Sequence, residues 1–147
     1  MKYLTLLGAL LLPALPVFAD DFIYIECDNK SVVVTTDLKS NEIAKREEIA
    51  VIQHIKLDLK NSRLMEASDG EWEEVKIVNG AVVIDEEETE DGVTSTMQAS
   101  MQVVPPGRVF ADFLARDDSF SQSAKASGMC KAVDASVFEK ALKEAKG

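Results

Sequence analysis

Hydrophobic and polar residues alternate along most of this chain, which is the pattern of strands with one buried face. Between residues 93 and 104 one face carries Val, Met and Ala, interrupted only by Ser95, and the other carries mainly Thr, Ser and Gln. Between residues 49 and 60 the apolar face is interrupted only by Gln53. These two segments are the clearest strand predictions in the chain.

Shorter segments continue the same pattern and are separated by turn signals. Asn79-Gly80 joins two β-rich runs and predicts a two-residue hairpin, because both turn positions need positive φ. Asp28-Asn29-Lys30 and Asp117-Asp118-Ser119 predict further turns. Asn29-Lys30-Ser31 also has the form of a glycosylation sequon. Residues 37–48 fit a loop, a helical turn or an irregular strand. The predicted strands are residues 22–27, 31–36, 49–60, 63–67, 72–78, 81–84, 93–104, 108–116 and 120–133.

The fold class that follows is all-β. We expect a single-domain antiparallel meander of about eight strands, barrel-like and similar in shape to lipocalins and other calycins, because a sheet with one apolar face needs a cover. Ser136 to Glu139 has the form of a capping box and predicts a short C-terminal α-helix. Gly70-Glu71-Trp72 has the Gly-x-Trp form known from lipocalins, but strands precede it here. We interpret Trp72 as a core aromatic residue.

The N-terminus predicts the location of the protein. Lys2 is followed by an apolar run and by Val17-Phe18-Ala19, which together form a secretory signal peptide cleaved after Ala19. Residues 1–19 are therefore the predicted leader, and residues 20–147 the mature β-rich domain. The protein is expected in the periplasm or secreted, with no membrane span.

Two cysteines, Cys27 and Cys130, are the only ones in the chain. In an exported protein an even number of cysteines predicts a disulfide. The alternatives are two buried thiols or a metal site, but two cysteines and a single histidine are too few for a structural zinc site.

Acidic residues outnumber basic ones, 26 to 16, and give a formal net charge of −10. This charge disfavours nucleic acid and anionic lipid as partners and favours a basic protein. The densest acidic run predicts a loop that is a solvated hairpin tip, a docking surface for a basic protein, or a cation loop. Its acidic residues are Asp85, Glu86, Glu87, Glu88, Glu90 and Asp91.

Catalytic motifs are not evident. The single histidine, His54, falls on the polar face of a predicted strand and is interpreted as a solvated residue. There is no Gly-x-Ser-x-Gly elbow and no Gly-rich phosphate loop. We therefore expect a non-enzymatic protein without a cofactor. Met97 and Met101 share one strand face, where they either fill the core or line a pocket for an apolar ligand.

Two short segments carry a resemblance to a known family. Tyr24-Ile25-Glu26-Cys27 is similar to the opening strand of small exported bacterial β proteins. Ala126-Ser127-Gly128-Met129-Cys130 resembles the Ser-Gly loop of the periplasmic inhibitors of C-type lysozyme. The resemblance implies an acidic, disulfide-bonded inhibitor and assigns no binding residue. Three functions follow as expectations: a binding protein for a basic partner, a carrier of a small apolar ligand, and a lysozyme-inhibitor-like protein.

Overall fold

The structure is a computed structural model that describes residues 22–147. The predicted leader and its cleavage site after Ala19 lie outside the described residues. Nine antiparallel strands and one helix follow in chain order. They are β1 (Phe22–Asp37), β2 (Glu42–Asp58), β3 (Arg63–Glu66), β4 (Trp72–Glu74), β5 (Lys76–Val78), β6 (Ala81–Glu90), β7 (Val93–Val103), β8 (Pro106–Arg116), β9 (Phe120–Ala132) and α1 (Ala135–Ala145).

The strands form one sheet in the order β4-β3-β2-β1-β9-β8-β7-β6-β5. Its two edge strands, β4 and β5, are separated in sequence only by Val75. The chain therefore links the two edges of the sheet and leaves a nearly closed barrel. The Val75 amide N–H donates to the carbonyl of Ser62 at 2.9 Å, which holds this link beside β3. The predicted all-β, barrel-like fold is confirmed, with nine strands instead of about eight.

The core fills one half of this barrel, where all nine strands are present; we call it the closed half. Cys27 and Cys130 are directly opposite each other on β1 and β9 and form a disulfide, with 4.0 Å between their Cα atoms. The predicted disulfide is thus confirmed, and it joins the first and last strands. The core side chains point inward from five different strands: Ile25, Cys27, Ile55, Leu57, Val82, Val103 and Cys130.

The other half of the barrel lacks part of its wall. β3, β4 and β5 have only 4, 3 and 3 residues, whereas β1 and β2 have 16 and 17. Beyond the ends of the short strands, residues 42–53 of β2 and 84–90 of β6 have a strand neighbour on one side only. We call this six-stranded part, in the order β2-β1-β9-β8-β7-β6, the open half.

The first predicted turn is wrong. Residues 28–30 continue β1 without a break, because β1 is hydrogen-bonded to β2 on one side and to β9 on the other along this stretch. Asn29 points inward and is only 8% exposed, so it does not offer a glycosylation site either. The undecided residues 37–48 are a turn at residues 38–41 followed by the start of β2.

Helix α1 covers the outer face of the closed half. It starts one residue before the predicted capping box: Asp134 is the N-cap residue, and no side chain caps the helix. Phe138 is buried and its ring centroid lies 5.9 Å from that of Tyr24 on β1. The helix therefore closes over the outside of the barrel and leaves the inner face to the strands.

Trp72 is the last correction to the predicted core. It is paired with Met65 on β3 and shares the outer face with Lys56 and Tyr24. The Arg63 guanidinium lies 4.4 Å from the Trp72 ring centroid, and the Phe22 ring lies 5.9 Å away. Trp72 is therefore half-buried in an outer aromatic and cationic cluster, while the aliphatic residues fill the core.

Candidate ligand-binding site

The inner face of the open half is an apolar trough. Strand pairing places six side chains in one row across it, and three adjacent ones are alanines from β7, β8 and β9. Small side chains at the centre of a barrel wall leave space that larger ones would fill. We call this the alanine row; in order across the sheet it is Ile84, Ala99, Ala111, Ala126, Ser31 and Ile49.

The next row toward the open end remains apolar in its middle and becomes charged at its ends. Met97, Phe113, Ala124 and Val33 occupy the central four strands, between Glu86 on β6 and Glu47 on β2. Successive rows on one face lie about 7 Å apart. The inner trough, defined as the inner face of the open half, therefore combines an apolar centre with a polar rim.

The edge strand β2 exposes apolar side chains toward this trough. Ile49 and Val51 share the inner face with Ile55 and Leu57, yet they are 46% and 48% exposed. Ile55 and Leu57 are covered because β3 and the core lie beside them, whereas residues 49–51 lie beyond the end of β3. The sequence pattern predicts one continuous buried face on β2. In the structure, one part of this face packs in the core and the other part is uncovered.

A polar relay lies where the core meets the inner trough. The Asn29 side-chain amide donates to Gln53 Oε1, and Gln53 Nε2 donates to Glu66 Oε1 at 3.2 Å. Asn29 Oδ1 is buried and has no hydrogen-bond donor among residues 22–147. Gln53 is the residue that interrupts the apolar pattern of β2 in the sequence, so this signal was visible before the structure. Its partners were not, because Asn29 had the appearance of a turn residue.

The acidic run lies in a strand and not in the predicted loop. Asp85–Glu90 form the outer part of β6 because they pair along their whole length with residues 93–98 of β7, and only Asp91-Gly92 form the turn. Alternation places Glu86, Glu88 and Glu90 on the inner face, and Asp85 and Glu87 on the outer face. A depression of about 390 Å³ lies against this hairpin tip, lined by Glu88, Glu90, Asp91, Val93 and Ser95.

Neighbouring residues of a strand point to opposite faces, so the structure divides these carboxylates between the inner and the outer face of β6. Within residues 22–147 no group of three or more His, Cys, Asp or Glu side chains is placed to hold a metal ion.

His54 belongs to an outer ionic cluster. Its Nε2 lies 3.1 Å from Glu26 Oε2, and Lys131 Nζ lies 2.9 Å from Glu26 Oε1. His54 is thus half-buried and paired, not freely solvated as predicted. Hydrogen bonding by Lys131, and secondarily by His54, holds the pKa of the Glu26 carboxyl below its usual range. No nucleophilic serine, threonine or cysteine side chain is hydrogen-bonded to His54 among the described residues.

The segment that resembles the lysozyme inhibitors is not a loop. Ser127 and Gly128 lie inside β9, paired with Lys30 and Asn29 on one side and with Phe110 and Val109 on the other. The Ser-Gly pair therefore cannot protrude into a partner's cleft as a loop does.

Comparisons with protein families, with curated proteins and with solved structures find no match for this chain. Among residues 22–147 no helix is both long enough and apolar enough to cross a membrane.

Proposed function

We propose that this chain is a non-enzymatic binding protein that carries a small elongated apolar ligand in its inner trough. The alanine row is the observation that carries the proposal. On the same face, the closed half is filled by Ile, Leu, Val and a disulfide, whereas the open half has Ala99, Ala111 and Ala126 at its centre. Binding sites for small molecules are concave and mostly apolar, with a few placed polar groups.

The arrangement of the two halves supports the same function. The disulfide-linked closed half gives the trough a rigid floor, while the unpaired edges of β2 and β6 leave its side accessible. A site whose strands are already in place loses little backbone conformational entropy on binding. The rim carboxylates Glu86 and Glu47 disfavour an anionic head group next to the apolar chain.

Two variants of adjacent residues test the proposal. Ala126→Phe adds a ring to the inner trough, whereas Ser127→Phe adds the same ring to the exposed outer face of the same strand. We expect the protein to bind a fluorescent apolar probe and an alkyl alcohol, and only Ala126→Phe to abolish binding. If both variants bind the probe and the alcohol equally well and have equal thermal stability, the inner trough is not the binding site.

A second candidate function is docking of a basic protein on the β6 edge. It is favoured by the fact that Asp85, Glu86, Glu87, Glu88, Glu90 and Asp91 form no ion pair with any residue described in 22–147. Such a surface steers a basic partner at low salt. Because Asp85 and Glu87 face outward, Asp85→Asn with Glu87→Gln should weaken this docking while leaving the trough intact.

A C-type lysozyme is the probe for this second function, since it also tests the inhibitor-like alternative. Salt-sensitive binding that is lost in the Asp85→Asn, Glu87→Gln variant supports docking on the outer face of β6. Binding that is unchanged in this variant contradicts the docking surface, whatever the effect on lysozyme activity.

Export to the periplasm or the medium is also proposed. The Cys27–Cys130 disulfide supports it, because such bonds persist in oxidising compartments. Fractionation of the native cells and N-terminal sequencing test it: we expect an exported protein beginning at Asp20, and a cytosolic protein that retains Met1 would contradict it.

A further inference from the structure

The polar relay has a fixed hydrogen-bond direction. Glu66 at one end is a carboxylate, which only accepts hydrogen bonds when ionised. Gln53 must therefore turn its amide N–H toward Glu66 and its carbonyl toward Asn29. Asn29 must then turn its own amide N–H toward Gln53, which leaves Asn29 Oδ1 facing away from the relay.

Asn29 Oδ1 is consequently an acceptor without a donor in a buried position. The residue is 8% exposed and lies on the inner face, between Val51 on β2 and Gly128 on β9. Its row is adjacent to the alanine row. A buried acceptor without a partner costs free energy, so a group that donates to it gains that free energy on binding.

We propose that the ligand carries a neutral hydrogen-bond donor, a hydroxyl, which binds to Asn29 Oδ1 while its apolar chain lies along the alanine row. This inference rests on the proposed carrier function and adds the head-group chemistry. A charged ammonium at this depth would be desolvated against a neutral acceptor, Asn29 Oδ1, which does not compensate its charge. An ether or ester oxygen would place a second acceptor against Asn29 Oδ1. A hydroxyl donates a hydrogen bond to this site and carries no net charge.

The polarity of the trough fits this orientation. The donor end lies at the floor beside Asn29, and the chain passes Ala126 and Phe113 toward the charged rim. Local movement of neighbouring side chains must uncover Oδ1, because the atom is buried in the structure. Asn29 is thus assigned as a specificity-determining residue, with Gln53 and Glu66 as positioning residues that act through it.

Two probes of equal chain length test the inference: a long-chain alcohol and its methyl ether, each titrated against the full mature protein by displacement of a fluorescent apolar probe. We expect the alcohol to bind about 5- to 10-fold more tightly, as a hydrogen bond to a buried acceptor provides. Equal binding of the two would contradict the assignment of Asn29 and leave the carrier function standing. If neither probe binds, the carrier function itself fails.

Glu66→Gln tests the direction of the relay. With an amide in place of the carboxylate, Gln53 can reverse, donate to Asn29 Oδ1 and leave the Asn29 amide N–H facing the ligand. We expect the preference for alcohol over ether to disappear or invert. Glu71→Gln, an equal change of charge at an exposed residue outside the relay, should retain it. A purely structural role for Glu66 would lower the thermal stability without changing the ratio of the two affinities.

Asn29→Leu provides a second variant that does not depend on reversal of the relay. It removes the acceptor at nearly constant volume, so alcohol and ether should bind equally and the ether should bind at least as well as before. A retained preference for the alcohol in Asn29→Leu, with a cooperative thermal transition, would overturn the inference.

Discussion

Two carboxylates of the closed half are stabilised in their charged form by named neighbours. Lys131 and then His54 lower the pKa of Glu26. Asn61 and then Arg63 lower the pKa of Asp58, which is only 2% exposed at the end of β2. Each carboxylate is therefore a weaker base in the folded chain than in the unfolded chain.

This difference predicts a loss of stability in acid. A carboxyl whose pKa is lower in the folded state stabilises the fold above its unfolded pKa, and this contribution is lost as the pH falls through the folded value. We expect the free energy of unfolding to be constant near pH 7 and to fall below about pH 4. Urea titrations across this range measure it, and Glu26→Gln with Asp58→Asn should flatten the profile. An unchanged profile in that variant would contradict the assignment.

Gly128 predicts a steric effect at the floor of the trough. A methyl group there would overlap Asn29 Oδ1 and the Asp28 carbonyl, and would lie 2.9 Å from Asn29 Cα. We expect Gly128→Ala to lower the free energy of unfolding by about 1–3 kcal/mol, as overpacking does. Urea unfolding measures this, with Gly92→Ala, whose added methyl meets no atom within 4 Å but whose φ is +80°, as a comparison for strain without crowding. A neutral Gly128→Ala would show that β1 and β9 can separate at this point.

The role of a single residue could be predicted where it depends only on residue type. The disulfide was predicted from the presence of two cysteines in a protein predicted to be exported, and the structure confirms the bond. Asn29 could not be predicted, because Asp-Asn-Lys favours a turn locally and only pairing with β2 and β9 forces it into a strand. Of the three relay residues, only Gln53 could be singled out from the sequence, because it interrupts an apolar pattern.

Among the elements, two hairpin turns with positive φ show which turns their residue types can predict. Asn79 and Gly80 have φ of 50° and 76°, as the predicted two-residue turn requires. Asp91 and Gly92 have φ of 50° and 80° and make an equivalent turn. The second was missed because six acidic residues before Gly92 had the appearance of a loop. Pairing with β7 overrides that composition and extends β6 to Glu90.

The free edge of β2 predicts how the chain avoids association. Its residues 42–48 carry Glu42, Lys45, Arg46, Glu47 and Glu48, and charges of this kind block edge-to-edge pairing. Replacement of Lys45, Arg46, Glu47 and Glu48 by threonine should cause concentration-dependent self-association, visible by light scattering. The control replaces Lys125 and Asp112, which pair with each other on the central strands β9 and β8, and should stay monodisperse. Both variants leave the net charge unchanged, so self-association of both alike would point to a general loss of surface charges and not to the edge.

For the whole molecule, the meander was predictable but the gap between its edge strands β4 and β5 was not. Local alternation and turns indicate which segments are strands, and short connections indicate which of them are neighbours. The strands at this gap, β3, β4 and β5, have only three or four residues each, and their shortness leaves one side of the barrel open.

The disulfide is predicted to stabilise the whole barrel. It joins residues 103 positions apart, on the first and last strands. In the chain-entropy model a loop of about this length contributes roughly 4–5 kcal/mol, a value that depends on the model. Cys27→Ala with Cys130→Ala should lower the free energy of unfolding by up to this amount in urea titrations. A loss below about 1 kcal/mol would show that strand pairing between β1 and β9 is sufficient.

The central claim is that the open half holds an apolar ligand on its inner face. Methyl NMR on alanine-labelled protein during titration with a long-chain alcohol tests it most directly. The account predicts saturable shifts at Ala99, Ala111, Ala124 and Ala126, and none at Ala50 on the outer face or Ala141 in the helix. Shifts confined to Ala50 or Ala141, or none at saturating alcohol, would contradict the account.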